Sequence, residues 1–483
     1  MARRRSIVAA LLALPLIAVT WSLSTGPLLG TVAVRPSLGF ARIVVDERVG
    51  QAYVSTDDGG GPGRVRVLDM ARGALLRTIA MPATVGTMVV DARRGRVYAA
   101  GSGPGRCASI GPGVNTCAPA GAGIAVLDAQ TGRLLRVLPV DAGGALALDD
   151  RTGALYAVPS GGMSPGGPGG AASIVRAIDP NTGRTMRTVR LPAPGQRFGL
   201  VTLGIDGHDG RLIAAHTALT PVGRTGAMAW SVAVDVVDVR DGQLLFHIPL
   251  GTGQFDVDRP PLIDAPRGRA FIAIGGASAG PVRIVVLDIR RGVLLRTTTM
   301  AGSLGGIAED TRTGRVFTTL QGAVRWAPAR TGNGASTTSV PAGMGSLQMS
   351  DAWGGALLRV LPIGLGTTDV AVDERRGRVY VLNVGAADAH NGLTRPGTLS
   401  VVDERSGRVV RTFAVGAIPI ALGLDRRHDR VLVECFGAFG VPPNDPWGWV
   451  PRSLRRLLPF VPPPPTPAHP AQGSVMIFDA ARL

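Results

Sequence analysis

One five-residue mark, Asp, any three residues, then Gly, recurs along the 483 residues in two alternating settings, and it constrains the fold more than any other feature. In the first setting it follows an apolar run such as Ala41 to Val45 and leads to a β-branched or aromatic residue seven positions after the Asp. Copies stand at Asp46-Gly50-Tyr53, Asp91-Gly95-Tyr98, Asp149-Gly153-Tyr156, Asp206-Gly210-Ile213, Asp264-Gly268-Phe271, Asp310-Gly314-Phe317 and Asp373-Gly377-Tyr380. An eighth, Asp425 to Leu432, carries Asp429 where the others carry Gly. Such a mark between two strand-like runs is a tight turn that needs one residue at positive φ, which Gly supplies freely and Asp tolerates.

In the second setting the Gly opens a strand of the type Leu-Leu-Arg-Thr-Val: Asp69-Gly73, Asp128-Gly132, Asp179-Gly183, Asp238-Gly242, Asp288-Gly292, Asp351-Gly355 and Asp403-Gly407. The last such Asp, Asp479, is followed only by Ala-Ala-Arg-Leu483, while Gly26-Pro-Leu-Leu-Gly-Thr-Val-Ala-Val34 repeats the missing strand. Eight inner and eight outer hairpins, the last completed from the other end of the chain, predict an all-β, eight-bladed β-propeller closed by the N-terminal strand joining the C-terminal blade. Blade six leaves an alternative open. Residues 321–345 can be read as its outer hairpin with 346–363 as an extra one, which gives seven blades plus a degenerate one.

Residues 1–24 read as a signal peptide or signal anchor, with Arg3-Arg4-Arg5 before an apolar run from Ile7 to Leu23, and residues 25–483 form the propeller domain. The expected location is therefore extracytoplasmic, whether secreted, periplasmic or cell-surface, with membrane contact through the N-terminal segment if it stays uncleaved. In such a compartment Cys107 and Cys117 are expected to form a loop disulfide, whereas Cys435 is a buried lone thiol. The net charge is +17, yet all 51 basic residues are Arg, and composition bias explains this as readily as a polyanion site, so nucleic acid is not an expected partner. The Arg residues of the short turns, among them Arg94, Arg96, Arg267, Arg269, Arg376 and Arg378, alternate with acids and read as solvated turns.

In a four-stranded blade the first-to-second and third-to-fourth turns share one face, and the second-to-third loops and the crossovers share the other. Every long insertion, 101–123, 159–172, 217–230, 321–345, 384–397 and 437–472, falls on the second face, which makes it the expected working face. The insertion 437–472 carries Trp447, Trp449, Leu454 and Leu457 near helical spacing with Arg interleaved, a membrane or partner loop. No nucleophile with a paired base, phosphate loop or His/Cys metal spacing is present. Asp141, Asp256, Asp258 and Asp369 lie near the crossovers, with His216 on the same face, and form a candidate ligand-binding group. Asp256 and Asp369 are the candidate ligands for a hard cation such as Ca²⁺.

At blade seven, Val370-Ala-Val-Asp-Glu-Arg-Arg-Gly-Arg-Val-Tyr-Val-Leu-Asn383, Gly397-Thr-Leu-Ser-Val-Val-Asp403 and Arg411-Thr-Phe-Ala-Val-Gly-Ala-Ile-Pro419 resemble the YVTN-type repeat of bacterial extracytoplasmic β-propellers. That resemblance implies the fold and an exported binding or surface role, with no shared catalytic residues. The outer turns Asp128-Ala-Gln-Thr-Gly132 and Asp179-Pro-Asn-Thr-Gly183 also resemble the docking motif of eight-bladed quinoprotein dehydrogenases. That motif continues to a Trp four residues after the Gly, where this chain has Arg136 and Arg187. The expectation is a monomeric binding or scaffold protein that engages a protein, glycan or small ligand. The alternative is a metal-dependent hydrolase or lactonase with its site at the channel mouth.

Overall fold

The computed structural model describes residues 28–34, 42–56, 63–102, 106–111, 114–118, 123–142, 145–159, 174–192, 201–222, 227–252, 254–255, 259–276, 280–322, 324–331, 334–341, 343–387, 393–437 and 473–483. Among these there is no helix. Eight antiparallel sheets follow one another, and blade one sets the pattern with strands Arg42–Asp46, Gln51–Thr56, Arg64–Asp69 and Ala74–Ala80 in spatial order. The first strands of successive blades touch in an unbroken cycle that returns from blade eight to blade one, so they line the axis of a closed ring.

Burial follows position in the blade. Second and third strands are covered on both faces by the neighbouring blades, and residues 52–56 and 65–68 are all buried. Fourth strands form the rim, where Leu75, Leu76, Leu134 and Leu135 stay exposed. Each blade therefore hides its apolar faces only by stacking on its neighbours.

The turns match the sequence mark. Gly50 sits at φ 66 and its amide donates to the Asp46 carbonyl at 2.9 Å, while the Asp46 side chain accepts from the Arg48 amide at 3.0 Å. Asp429, the expected substitute for Gly, adopts φ 59. Blade six uses Leu304–Asp310, Arg315–Leu320, Met344–Asp351 and Leu357–Leu365, so Asp351-Gly355 is its outer turn. The alternative assignment of 321–345 fails: Val324–Thr331 and Gly334–Pro341 pair only with each other, as a hairpin outside the blade.

Closure occurs as the repeats require. Leu28–Val34 pairs antiparallel with Gly473–Asp479, from Leu28 opposite Phe478 to Val34 opposite Gly473, and becomes the fourth strand of blade eight. Val32, Val34, Leu432, Val475 and Ile477 of that blade then pack with Ala52, Val54 and Leu68 of blade one.

Side chains from one blade reach the next blade's outer turn. Tyr53 donates to the Ala129 carbonyl at 2.6 Å and Tyr156 to that of Val239 at 3.2 Å. The Arg four residues after the outer-turn Gly does the same: Arg136 to Pro180 at 2.8 Å, Arg187 to Arg240 at 2.8 Å, Arg296 to Gly354 at 2.7 Å, Arg411 to Arg482 at 3.0 Å, and Arg359 to Ser406. The guanidinium thus links blades from the position where the quinoprotein motif has Trp. In the closing strand this position is Gly30, and a Cβ there would lie 2.1 Å from the Gly73 carbonyl oxygen. Backbone meets backbone where five other blades use an Arg link.

Two outcomes test the closing seam. Gly30→Ala should lower stability by about 2 kcal/mol or more through overpacking, read as a fall of several degrees in the thermal midpoint. Glu434, buried in the second strand of blade eight, is pushed up by burial from 4.5 to about 8, with Arg66 of blade one working the other way. The folded chain holds a proton that the unfolded chain releases above about 4.5. This contribution is therefore complete below that pH and is lost as pH rises toward about 8. Glu434→Gln should flatten this slope in urea unfolding and raise stability at pH 8.5 by on the order of 3 kcal/mol.

Candidate functional site

The two faces of the ring are unlike. On the plain face the short turns are fixed by their own Asp carboxylates, and the basic residues above them are engaged. Arg94 pairs with Asp91 at 3.1 Å and donates to the Thr152 carbonyl of the next blade at 2.8 Å. Arg267 pairs with Asp264 at 3.1 Å and reaches the Thr311 carbonyl at 3.0 Å. Arg96, Arg269 and Arg378 join their inner turns to the outer-turn acids Asp128, Asp288 and Asp403 at 2.8, 2.8 and 2.6 Å. Arg376 bridges Asp373 of its own blade and Asp429 of the next. Such pairs are individually weak at a surface, but a polyanion would have to compete with every one.

The opposite face carries the added structure. Extra hairpins rise between second and third strands in blade two (Arg106–Gly111 with Val114–Ala118), blade six (Val324–Thr331 with Gly334–Pro341) and blade seven (Ala386–Ala387 with Leu393–Arg395). Those of blades six and seven touch. In blade four the second and third strands, Arg211–Val222 and Ala227–Asp238, stay paired past the start of the first strand at Val201, out to Val222 opposite Ala227. Cys107 and Cys117 are direct cross-strand partners in the blade-two hairpin.

A cavity of about 610 Å³ lies on the axis against the first strands of blades one to four. Apolar side chains such as Ile43, Val89, Leu146 and Leu203 line it together with Thr87, Thr202 and strand backbone, so the wall is mixed in polarity, and Asp150 is its one acid. Although Asp150 is exposed, partial desolvation by the wall beside it, and then the charges of Asp91 and Asp149, push its carboxyl up.

The candidate acids do not gather into one described group. Asp369, in the first strand of blade seven, accepts the amides of Val370 and Leu422 at 2.9 Å each and lies 3.5 Å from Arg259. Arg259 comes from the crossover into blade five and also donates to the Thr368 carbonyl at 3.0 Å. A guanidinium therefore already stands where a cation would meet this carboxylate. Burial pushes the Asp369 carboxyl up, while Arg259 and the two amides pull it down. Asp141 is half-buried after the fourth strand of blade two. Asp256, Asp258, Trp447, Trp449, Leu454, Leu457 and residues 1–24 lie outside the described residues.

His216 belongs to blade four, three blades from Asp369, and has different company. Its Nε2 stands 3.0 Å from Asp235 Oδ2, and Asp235 Oδ1 stands 2.6 Å from His247 Nδ1. Neither Asp235 nor His247 is marked by sequence spacing. Only the register of the second, third and fourth strands of the blade brings them beside His216, and that alignment was the signal available.

No family model matches the chain, so the YVTN-type resemblance rests on its repeats alone, and no curated protein matches it. Among solved structures, the quinohemoprotein alcohol dehydrogenase from Comamonas testosteroni is similar at 12% identity and a TM-score of 0.53, covering 94% of this chain and 77% of that one. A europium-containing methanol dehydrogenase is similar at 14% identity and a TM-score of 0.49, covering 93% and 92%. At 12% identity the likeness to the alcohol dehydrogenase concerns the propeller fold alone.

Asp369→Asn should cost about 1–3 kcal/mol, because one buried amide and Arg259 lose a charged partner. The loss, measured by thermal unfolding, should be the same with chelator or with added Ca²⁺. A Ca²⁺-dependent midpoint that the substitution abolishes would instead place a cation at Asp369.

Proposed function

We propose that this chain is an extracytoplasmic, monomeric binding propeller that engages a protein, glycan or small ligand across the face bearing the second-to-third-strand insertions. The observation that carries this reading is the asymmetry of the ring. One face consists of short turns whose Arg and Asp side chains are tied to each other. The other raises hairpins from three blades and an overhanging strand pair from a fourth, all on a rigid scaffold. Loops so placed vary without disturbing the core and supply specificity. The register of Cys107 and Cys117 supports an oxidising compartment, because antiparallel partners lie about 4.5–5.5 Å apart at Cα, within the span a disulfide bridges.

The metal-dependent hydrolase reading draws no support from Asp369, whose oxygens face Arg259 and two backbone amides. Arg136 and Arg187 weigh against quinoprotein-type docking, since each replaces a ring stack with hydrogen bonds to carbonyls of the following blade.

The test is a survey of the full chain against immobilised glycans and cell-envelope proteins. It is repeated on a variant in which residues 323–342, the blade-six hairpin, give way to a short turn. Binding weakened at least about tenfold, a loss of about 1.4 kcal/mol, with the melting temperature unchanged, supports the reading. Binding indifferent to removal of the hairpins of blades two, six and seven together, or chelator-sensitive hydrolysis of lactones, overturns it.

A further inference from the structure

Three neighbouring strands of blade four deliver two imidazoles and a carboxylate to one point. Asp235 in the third strand lies directly opposite His247 in the fourth, Leu244–Thr252. It is also opposite Ala214 in the second, two positions before His216. Side chains two apart on a strand share a face. All three therefore project to the side on which Ala214 and Val237 join the core shared with blade three, while Val234 and Val236 pack toward blade five.

The environment of this cluster is unusual for its charge. Asp235 is fully buried, His216 is buried to 4% side-chain exposure, and His247, at 39%, reaches the rim. The polar partners of the Asp235 carboxylate among the described residues are these two imidazoles. His216 Nε2 and Asp235 Oδ2 face each other at 3.0 Å, yet neither has a hydrogen-bond partner. Two unsatisfied polar atoms in the interior are costly, and an ionised carboxylate more so, unless a counter-charge is present.

One ligand atom from each of the three residues lies within 4.8 Å of the other two. A tetrahedral ion with bonds of about 2.0–2.1 Å separates its ligands by roughly 3.3 Å, within reach of small side-chain rotations here. We propose that His216 Nε2, Asp235 and His247 Nδ1 bind a divalent first-row transition metal, with zinc the best fit, in the seam between blades three and four. Two nitrogen donors with one oxygen select such an ion over Ca²⁺ or Mg²⁺, which prefer oxygen alone. Three protein ligands leave a fourth position beside His247, open to water or to an anionic oxygen ligand. The ion neutralises the buried carboxylate and satisfies both orphaned atoms. The site lies away from the axial channel, and its success or failure is independent of the binding-face reading.

The test uses tag-free full chain stripped with chelator and titrated calorimetrically with Zn²⁺, and with Ca²⁺ for contrast. One saturable equivalent of Zn²⁺ is expected, with a raised thermal midpoint and no comparable response to Ca²⁺. His247→Ala should weaken Zn²⁺ binding by more than about 100-fold, beyond the roughly 10–100-fold that loss of an outer partner of a ligand brings. Because this variant also takes away the hydrogen bond to the buried Asp235 carboxylate, its stripped form should melt below the stripped parent, and its Zn²⁺ affinity is read at a temperature where it stays folded. Co²⁺ added to the unsubstituted chain should give the visible bands of a nitrogen-ligated, four- or five-coordinate site, a readout that needs no variant. Absence of a one-equivalent Zn²⁺ site, equal affinity in His247→Ala, or a Co²⁺ spectrum of the hexaaqua ion would overturn the proposal and leave a hydrogen-bonded His-Asp-His cluster of structural role.

Discussion

Everything in this molecule depends on one pairing, that of Leu28–Val34 with Gly473–Asp479. A blade has two apolar faces and can cover neither by itself, so each face is buried only while the neighbouring blade is in place. If that strand is missing, the rim of blade eight is lost and with it Val32 and Val34, which pack toward blade one. The first strands form a cycle only because this seam is shut. The ring is thus cooperative in a way that an open array of the same repeats is not.

The seams also explain the composition. A basic excess made wholly of Arg looks like a surface feature, but much of it works between blades. In five blades the Arg after the outer turn donates to carbonyls of the next blade, and inner-turn Arg residues bridge their own Asp and the neighbour's turn. A planar guanidinium can address two acceptors at once and keeps its charge when half-buried, which a Lys ammonium does less well. Gly30 and Phe246 take the same repeat position in the two blades without an Arg there, Gly30 by direct backbone contact and Phe246 by packing against Gly292.

Blade number and closure were legible because positive φ restricts a turn position to Gly or its few substitutes, and that restriction is written residue by residue; blade six stayed open between two readings until strand pairing set its hairpin at 324–341 outside the blade. Asp429 shows the rule at its limit. The face asymmetry was legible for the same reason, since turn length can be counted. The electrostatics were not. Asp369 looked like an available ligand, but its partner Arg259 comes from a different blade, a pairing set by how the crossovers curve around the axis. His216 was singled out without Asp235 and His247, because these neighbours follow from strand register, which sequence separation does not encode.

The register that places Leu28 opposite Phe478 also orders events in time. Seven blades can form one after another, each from a contiguous stretch of chain settling on its predecessor. The eighth joins segments separated by almost the whole sequence, and loop closure over that span is slow compared with a local hairpin. Assembly therefore passes through an open arc with two uncovered apolar faces, and it is in this interval that aggregation and folding compete. Once the strand is in, the same long loop works in the other direction: unfolding must break a seam before any blade can leave, so the closed ring is held by kinetics as well as by contacts.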